Sequence, residues 1–163
     1  MTISKTIDQA DRRILAELQQ NGRISVVELA EAVNLSKSPC LTRLRRLEKA
    51  GYIRGYYAQL DPKKLAHGYL VYVQVKLVDT TRSSLEEFNR AARDVPQIQS
   101  CHMVSGGYDY LLKVRTRDME TYRALLGDVI SALPKVGQTS TYPVMEQVKD
   151  NMFIGVDLIA EDD

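Results

Sequence analysis

Residues 25–51 read SVVELAEAVNLSKSPCLTRLRRLEKAG, and this stretch decides the fold of the N-terminal part of the chain. It opens on Ser25 with Glu28 three residues later, a pattern in which each side chain accepts the other residue's backbone N–H at a helix start. It closes on Gly51, since glycine takes the left-handed conformation after a helix at little cost. The pattern predicts two short helices in close succession.

Only Asn34 and Leu35 separate the two predicted helices. Asn34 tolerates a left-handed cap, and Ser36 offers the next N-cap. Pro39 then falls in the first helical turn, where its missing N–H does no harm. So tight a connection between two short helices is typical of a helix-turn-helix.

Two further elements flank this helix pair. A helix begins near Asp8, with Asp11 completing a second capping pattern, and it ends near Asn21. After Gly51 the β-prone stretch 52–60 predicts a strand or small wing. The N-terminal part is therefore predicted to be a winged-helix-like helix-turn-helix domain.

The second helix of the pair indicates the function. At about 100° per residue, Cys40, Leu44 and Leu47 cluster on one side as a core face. The opposite side is basic and hydrogen-bonding, and it holds Ser38, Thr42, Arg45, Arg46 and Lys49. Such side chains contact phosphates and base edges in a major groove, which admits a helix. The alternative is a basic, solvated helix in a bundle, but this alternative accounts for neither the tight turn nor the caps.

We therefore predict a DNA-binding surface on this helix and its flanks. Arg54, just beyond the helix, could reach the phosphates. The predicted contact residues are Ser36, Lys37, Ser38, Thr42, Arg43, Arg45, Arg46, Lys49 and Arg54.

The charge distribution supports a polyanionic partner for the N-terminal part. Residues 1–66 hold 12 Lys/Arg and 7 Asp/Glu, whereas the remaining 97 residues hold 10 and 14. Such an asymmetry suggests that one part of the chain meets nucleic acid. No apolar run could span a bilayer and no secretory signal is visible, so we expect no membrane partner and cytoplasmic residence. Cys40 and Cys101 are expected as reduced, packed thiols, and no metal-ligand spacing is present.

The remaining two thirds of the chain alternate strands and helices. Val71, Val73 and Val75 alternate with polar residues in a first strand. The further predicted elements are a helix capped by Ser83 or Ser84, strands at 98–104 and 108–115, a helix capped by Asp118 and a strand at 136–148. The order β-α-β-β-α-β predicts a ferredoxin-like α+β domain. Its helices would cover one face of the sheet, and the other face, apolar and aromatic, would pack on another copy.

These patterns divide the chain into four parts. The predicted parts are a DNA-binding domain at 1–57, a linker at 58–68, a sensing and oligomerisation domain at 69–150 and an acidic C-terminal tail at 151–163.

Several stretches resemble the Lrp/AsnC family of bacterial transcription regulators, and particularly its leucine-responsive branch. The stretches that carry the resemblance are D-x-x-DRRIL-x-x-L-x-x-NGR at 8–23, LS-x-x-PC-x-x-R-x-x-RLE-x-x-GYI at 35–53, CHMVSGGYDYLLK at 101–113 and TYPVME at 141–146. The resemblance implies dimers that assemble further, commonly into octamers, and that bind DNA in the bacterial nucleoid. It also implies an amino-acid effector held between sensing domains, and no cofactor.

The turn at 105–110 is the predicted effector site. Its two adjacent glycines leave backbone N–H groups open to a carboxylate, and Asp109 could pair with an α-ammonium group. The resemblance adds apolar positions around the effector's side chain. The predicted effector residues are Met103, Ser105, Gly106, Gly107, Tyr108, Asp109, Met119, Tyr142 and Val144. Leucine, another apolar amino acid and proline all remain open as effectors.

Two other functions compete with a regulator that responds to an amino acid. An architectural DNA-compacting protein would use the same DNA face and have no effector. An enzyme would need a nucleophile and a base, and His102, Ser105 and Asp109 invite that reading. However, His102 and Ser105 lie three apart and would point to opposite faces of a strand, so we do not expect an enzyme.

Overall fold

The computed structural model describes residues 7–156 of the chain. They form two compact units, one of residues 7–59 together with 150–156 and the other of residues 60–149. The predicted domain and linker boundaries remain predictions. The sequence predicts a separate tail from residue 151, whereas in the structure residues 150–156 belong to the first unit. The acidic end at 160–163 lies outside the described residues. No helix within 7–156 is long and apolar enough to cross a membrane.

Three helices build the first unit: α1 (Gln9–Gln20), α2 (Val26–Ala32) and α3 (Lys37–Lys49). Both predicted capping boxes are present. The Asp11 N–H donates to Asp8 at 2.9 Å and the Asp8 N–H donates to Asp11 at 3.1 Å. Ser25 and Glu28 make the same exchange at 3.2 and 2.9 Å. Each exchange satisfies N–H groups that a helix start leaves without an intrahelical acceptor.

The connection between α2 and α3 is as tight as the sequence predicts. Asn34 is left-handed with a φ of 56°, and Gly51 after α3 has a φ of 80°. Ser36 occupies the N-cap of α3 as predicted, but its hydroxyl accepts no N–H from the described helix. The backbone conformation alone therefore starts α3.

The core of this unit lies between the three helices. Ile14, Leu29, Cys40 and Leu47 are almost fully buried. Cys40 therefore packs as a small apolar side chain, as predicted. Each of the three helices contributes at least one of these residues.

The prediction of a strand at 52–60 is wrong, because this described segment contains no strand. Its side chains are mostly exposed, and that of Tyr57 is 81% exposed. The regular elements described in this unit are helices, which leave the segment no strand to pair with. β-propensity expresses the fit of a residue to a paired, half-buried surface and does not create a strand alone.

The second unit has the predicted element order β-α-β-β-α-β. Its elements are β1 (Tyr69–Leu77), α4 (Arg82–Arg93), β2 (Ile98–Met103), β3 (Tyr110–Thr116), α5 (Met119–Leu125) and β4 (Val136–Pro143). The strands form one antiparallel sheet in the order β2-β3-β1-β4, as a ferredoxin-like fold requires. Val71, Val73 and Val75 face a core that also holds Phe88 from α4 and Tyr122 from α5.

The sheet face away from this core is mixed and not chiefly apolar, which corrects the prediction. Strand alternation places Gln74, Lys113 and Ser140 on it beside Tyr72 and Leu111. That this face packs on another copy remains a prediction.

Several element boundaries differ from those predicted. α4 is capped by Thr81 and not by Ser83 or Ser84, since the Thr81 hydroxyl accepts the N–H of Ser84. β4 ends at Pro143, and β3 begins at Tyr110. A π turn, Leu126–Ile130, follows α5. Asp118 caps α5 as predicted.

Replacing Thr81 with alanine should lower the free energy of unfolding by about 1 kcal/mol, the usual cost of a lost N-cap. Ser83→Ala is the matched control, because Ser83 is exposed and does not cap the helix; it should change stability by less than about 0.5 kcal/mol. Urea unfolding measures both. An equal loss in the two variants would contradict the assignment of the cap.

Candidate DNA-binding helix and effector region

The exposed face of α3 carries most of the predicted DNA contacts. Ser38, Thr42, Arg45 and Lys49 are all exposed. Thr42 donates its hydroxyl hydrogen to the backbone oxygen of Ser38 at 3.0 Å, which leaves lone pairs on its own oxygen available. Arg45 makes no hydrogen bond or ion pair within residues 7–156, so its whole guanidinium group is available to a partner. The flanking Ser36, Lys37 and Arg54 are also exposed.

Arg43 and Arg46 differ from the other basic residues of α3, because both turn toward α1. Arg43 contacts Asp8 at 2.6 Å and Asp11 at 3.0 Å, and Arg46 contacts the other oxygen of Asp11. Asp11 is fully buried. We call Asp8, Asp11, Arg43 and Arg46 the α1–α3 ion cluster. Their predicted DNA contacts remain predictions, but both arginines hold the helices together.

The charges in this cluster reinforce one another. Burial alone would raise the pKa of the Asp8 carboxyl, but the Asp11 N–H and the Arg43 guanidinium together hold it below its usual value. The same bonds to Asp8 and Asp11 raise the pKa of Arg43. The sequence did contain a signal for the cluster, since two acids three residues apart on α1 match two arginines three residues apart on α3.

Hydrogen bonds hold the segment after α3 to that helix, among them that of the Tyr52 N–H to the Leu47 carbonyl at 3.0 Å. The Tyr56 hydroxyl donates to Glu48 at 2.9 Å. Burial and the neighbouring carboxylate raise the pKa of Tyr56 to about 12. Sequence reasoning missed this contact, because Glu48 reads as an ordinary solvated acid.

The predicted effector turn at 105–109 is anchored by Asp109. The Asp109 N–H donates to the Val75 carbonyl at 2.9 Å, and its carbonyl accepts the Val104 N–H at 3.0 Å. One carboxylate oxygen, Oδ2, accepts the Leu77 N–H at 2.7 Å. The other oxygen, Oδ1, has no hydrogen-bond donor among residues 7–156. Asp109 therefore both fixes the turn and keeps one acceptor for a ligand.

The two glycines of the turn play different parts. Gly106 has a φ of 146°, a conformation that disfavours any side chain. Gly107 borders a small polar depression of about 70 Å³ on the sheet, together with Gln74, Lys76, Tyr108, Gln138 and Ser140. Open space surrounds both Cα positions. Backbone N–H groups here are within reach of a small anion.

The remaining predicted effector residues lie elsewhere in the unit. Pairing of Val75 with Tyr110 and of Tyr69 with Thr116 puts the turn and the start of α5 at opposite ends of β3. Six residues of strand span about 20 Å. Met119, at the start of α5, accepts a hydrogen bond from Tyr69 at 3.1 Å.

Val144 lies away from the turn, because its N–H donates to the carbonyl of Leu70. Tyr142 pairs with Tyr72 on the sheet face opposite the helices, and its hydroxyl donates to Gln74 at 3.2 Å, beside the depression that Gly107 borders. Met103 adjoins the turn. One chain therefore brings Met103 to residues 105–109 and Tyr142 to the depression beside them, and it does not bring Met119 and Val144 there.

Comparison with known proteins explains this combination of units. A model of the winged helix-turn-helix DNA-binding domain matches residues 7–54, and a model of the Lrp/AsnC ligand-binding domain matches residues 70–154. The chain belongs to the Lrp/AsnC family. The resemblance found in the sequence is thereby confirmed, and this member of the Lrp/AsnC family is a DNA-binding transcription regulator with an amino-acid-binding domain.

Curated relatives match this Lrp/AsnC protein over nearly its full length. It is 50% identical over 147 residues to the leucine-responsive regulatory protein of Salmonella typhimurium, with 90% of each chain covered. It is 49% identical over 144 residues to the proline dehydrogenase transcriptional activator of Rhizobium radiobacter, covering 88% of this chain and 92% of that one.

Solved structures give the same result for the fold. A transcriptional regulator from Neisseria meningitidis in complex with L-Met has a TM-score of 0.89 at 34% identity, covering 93% of this chain and 98% of that one. An AsnC family transcriptional regulator from Agrobacterium tumefaciens has a TM-score of 0.90 at 30% identity, covering 94% and 100%.

Replacing Asp11 with alanine should lower the free energy of unfolding by about 2 kcal/mol or more, because two arginines lose a buried partner and a cap bond disappears. The control is Glu31→Ala, an exposed acid on α2, which should stay within about 0.5 kcal/mol of the parent. Denaturant unfolding followed by circular dichroism compares them. Equal midpoints for the two variants would show that the ion cluster does not stabilise the domain.

Proposed function

We propose that this regulator reads a specific DNA site with Ser38, Thr42, Arg45 and Lys49 of α3, and that an apolar amino acid bound at the 105–109 turn shifts its assembly or DNA affinity. The observation that supports DNA binding by α3 is that the basic residues of this helix have two different roles. The ion cluster fixes the helix, and Arg45 presents an uncommitted guanidinium. A fixed helix with free donors suits direct reading of base edges.

The 105–109 turn has the chemistry to hold the two charged ends of an amino acid. Oδ1 of Asp109 would accept the α-ammonium group, and the N–H groups around Gly106 and Gly107 would meet the carboxylate. The Asp109 half of this arrangement is anchored by hydrogen bonds to Val75, Leu77 and Val104. This half is therefore preorganised for an ammonium group before any ligand arrives.

The relatives favour an apolar effector. One is named for its response to leucine, another is named a proline dehydrogenase transcriptional activator, and a third was solved with L-Met. Met103, exposed beside the turn, offers a soft apolar surface to such a side chain. Among these effectors, leucine is the first candidate.

We infer that the complete effector site needs more than one copy of the chain. Met119 and Val144 lie too far from the turn of their own chain to enclose the same ligand. A second sensing unit could bring these residues to the turn. Binding at such a contact would link effector and assembly, because a ligand shifts an equilibrium only toward the state that it binds better. We propose a dimer that assembles further, up to an octamer.

An architectural DNA-compacting protein is the second candidate function. It would use the same face of α3 and be indifferent to amino acids, so the two candidates differ at the 105–109 turn alone. The free oxygen of Asp109 favours the regulator that responds to an effector, because a vestigial site has no need of an anchored, unpaired carboxylate oxygen.

We propose that the protein is not an enzyme and that it works on the bacterial nucleoid in the cytoplasm. His102 pairs with Leu111 on the sheet face away from the helices, whereas Asp109 gives one oxygen to the Leu77 backbone. Neither arrangement provides Ser105 with a base.

Replacing Arg45 with alanine should weaken specific DNA binding roughly tenfold or more, because a base or phosphate contact is lost. The free energy of unfolding of this variant should equal that of the parent, since Arg45 has no partner within residues 7–156. Arg82→Ala removes an equally exposed charge from the second unit and should leave DNA affinity within about twofold. Fluorescence anisotropy against a footprinted operator measures both. Equal affinities for these two variants would remove α3 from the proposed interface.

Replacing Asp109 with asparagine should abolish the thermal shift that an apolar amino acid produces, while DNA binding persists. Asparagine keeps an oxygen for the Leu77 N–H but loses the charge that would pair with the ammonium group. The unliganded variant should therefore melt close to the parent, whereas Asp109→Ala should also lose about 1 kcal/mol of stability. A thermal-shift panel of the twenty amino acids tests this. Equal responses from parent and asparagine variant would contradict the site, and no response from the parent would favour the architectural protein.

A further inference from the structure

A cavity of about 310 Å³ lies between α4 and the edge strand β2, on the helix-covered side of the sheet. Helix α4 lines it with Asn89, Ala92 and Arg93, and strand β2 lines it with residues 98–101. It shares no residue with the 105–109 turn or with the exposed face of α3. Its volume is at the lower end of the range for small-molecule sites, roughly 300–1,000 Å³.

The charge of this α4–β2 cavity comes from Arg93 alone. Arg93 makes no ion pair with any acid in residues 7–156. The other described lining residues are neutral, and none is acidic. A ligand carboxylate would therefore find a guanidinium fork, whereas an ammonium group would find no counter-charge and would be repelled by Arg93.

Neutral polar groups surround this charge. Asn89 brings an amide from α4, and Cys101, which pairs with the core residue Leu112, brings a thiol from β2. Because β2 is the edge of the sheet, its outer backbone groups have no neighbouring strand. Donors and acceptors thus converge around a single positive charge, as small-molecule sites require.

The buried ring of Tyr110 lies next to two of the lining residues. Tyr110 is 1% exposed, and its ring packs against Phe88. Burial and the Cys101 thiol raise the pKa of Tyr110, whereas a hydrogen bond with Asn89 lowers it.

We propose that the α4–β2 cavity binds a small carboxylate that lacks an amino group, such as a 2-oxo acid. Arg93 holds the carboxylate, and the Asn89 amide and the edge-strand backbone groups hold the oxo group. No acidic side chain among the described residues lines this cavity. The 105–109 turn differs in that it contains Asp109, which is suited to an ammonium group. The two sites therefore distinguish an amino acid from its 2-oxo counterpart.

Cys101 provides the test, because it is the exposed cysteine and Cys40 is fully buried. The full-length native protein is labelled with a maleimide at increasing 4-methyl-2-oxopentanoate, with L-leucine as the matched amine and pyruvate as a smaller oxo acid. We expect the oxo acids to slow Cys101 labelling in a saturable way, at least about threefold for 4-methyl-2-oxopentanoate, and L-leucine to leave it unchanged.

Variants separate this site from nonspecific effects. Arg93→Gln should raise the concentration for half protection about tenfold or more, because a charged hydrogen bond is lost. The controls Arg90→Gln, an exposed charge on the same helix, and Asp109→Asn should keep the parent value. Arg93 also lowers the pKa of the Cys101 thiol, which burial otherwise raises, so each variant is compared with its own rate without ligand.

Three results would overturn the proposal. One is a labelling rate that no oxo acid changes. The second is protection that L-leucine matches or that survives Arg93→Gln. The third is a Cys101 that reacts only after denaturation, which would mean that the cavity is closed in the native assembly. None of these results depends on the effector at the 105–109 turn, because the Asp109→Asn control separates the two sites.

Discussion

The buried carboxylate of Asp11 is the interaction on which the DNA-binding unit depends. It caps the start of α1 and at the same time accepts Arg43 and Arg46 from α3. A fully buried carboxylate is costly to desolvate unless its oxygens are satisfied, and here both are. The recognition helix is thereby locked to the first helix by charge as well as by apolar packing. The remaining basic residues of α3 are then free to meet a partner.

The second unit is organised by a different constraint, the register of its central strands. Pairing of β1 with β3 fixes the 105–109 turn at one end of the sheet and the start of α5 at the other. The effector residues implied by resemblance therefore separate into two groups. Under the proposed function, a site that used both groups would need a second copy of the chain, and binding of the ligand and assembly would then be one equilibrium.

How much the sequence could predict depended on the range of each interaction. The two capping boxes and the alternation of β1 follow from neighbours a few residues apart, and the prediction of each was confirmed. A helical projection placed Arg46 on the free basic face, because its partner Asp11 lies 35 residues away and no projection of one helix includes it. The prediction of a strand at 52–60 failed because it rested on local preference alone. Its residues favour a strand, but the described part of the unit has no second strand with which it could pair. Thr81 caps α4 instead of the predicted Ser83 or Ser84, because Asp79 orients Thr81 by accepting both its N–H and its hydroxyl hydrogen.

The first unit is assembled from both ends of the described chain. The Gln19 side chain donates to the Ile154 carbonyl at 2.9 Å and accepts the Ile154 N–H at 2.6 Å, and Val156 nearby in sequence is buried. These partners are separated by 135 residues, and the whole sensing unit lies between them in the sequence. During synthesis, Gln19 leaves the ribosome long before Ile154 exists, so this contact closes only after the sensing unit has emerged. The DNA-binding unit is thus completed only after the sensing unit has been synthesised, and a chain truncated before Ile154 lacks this contact.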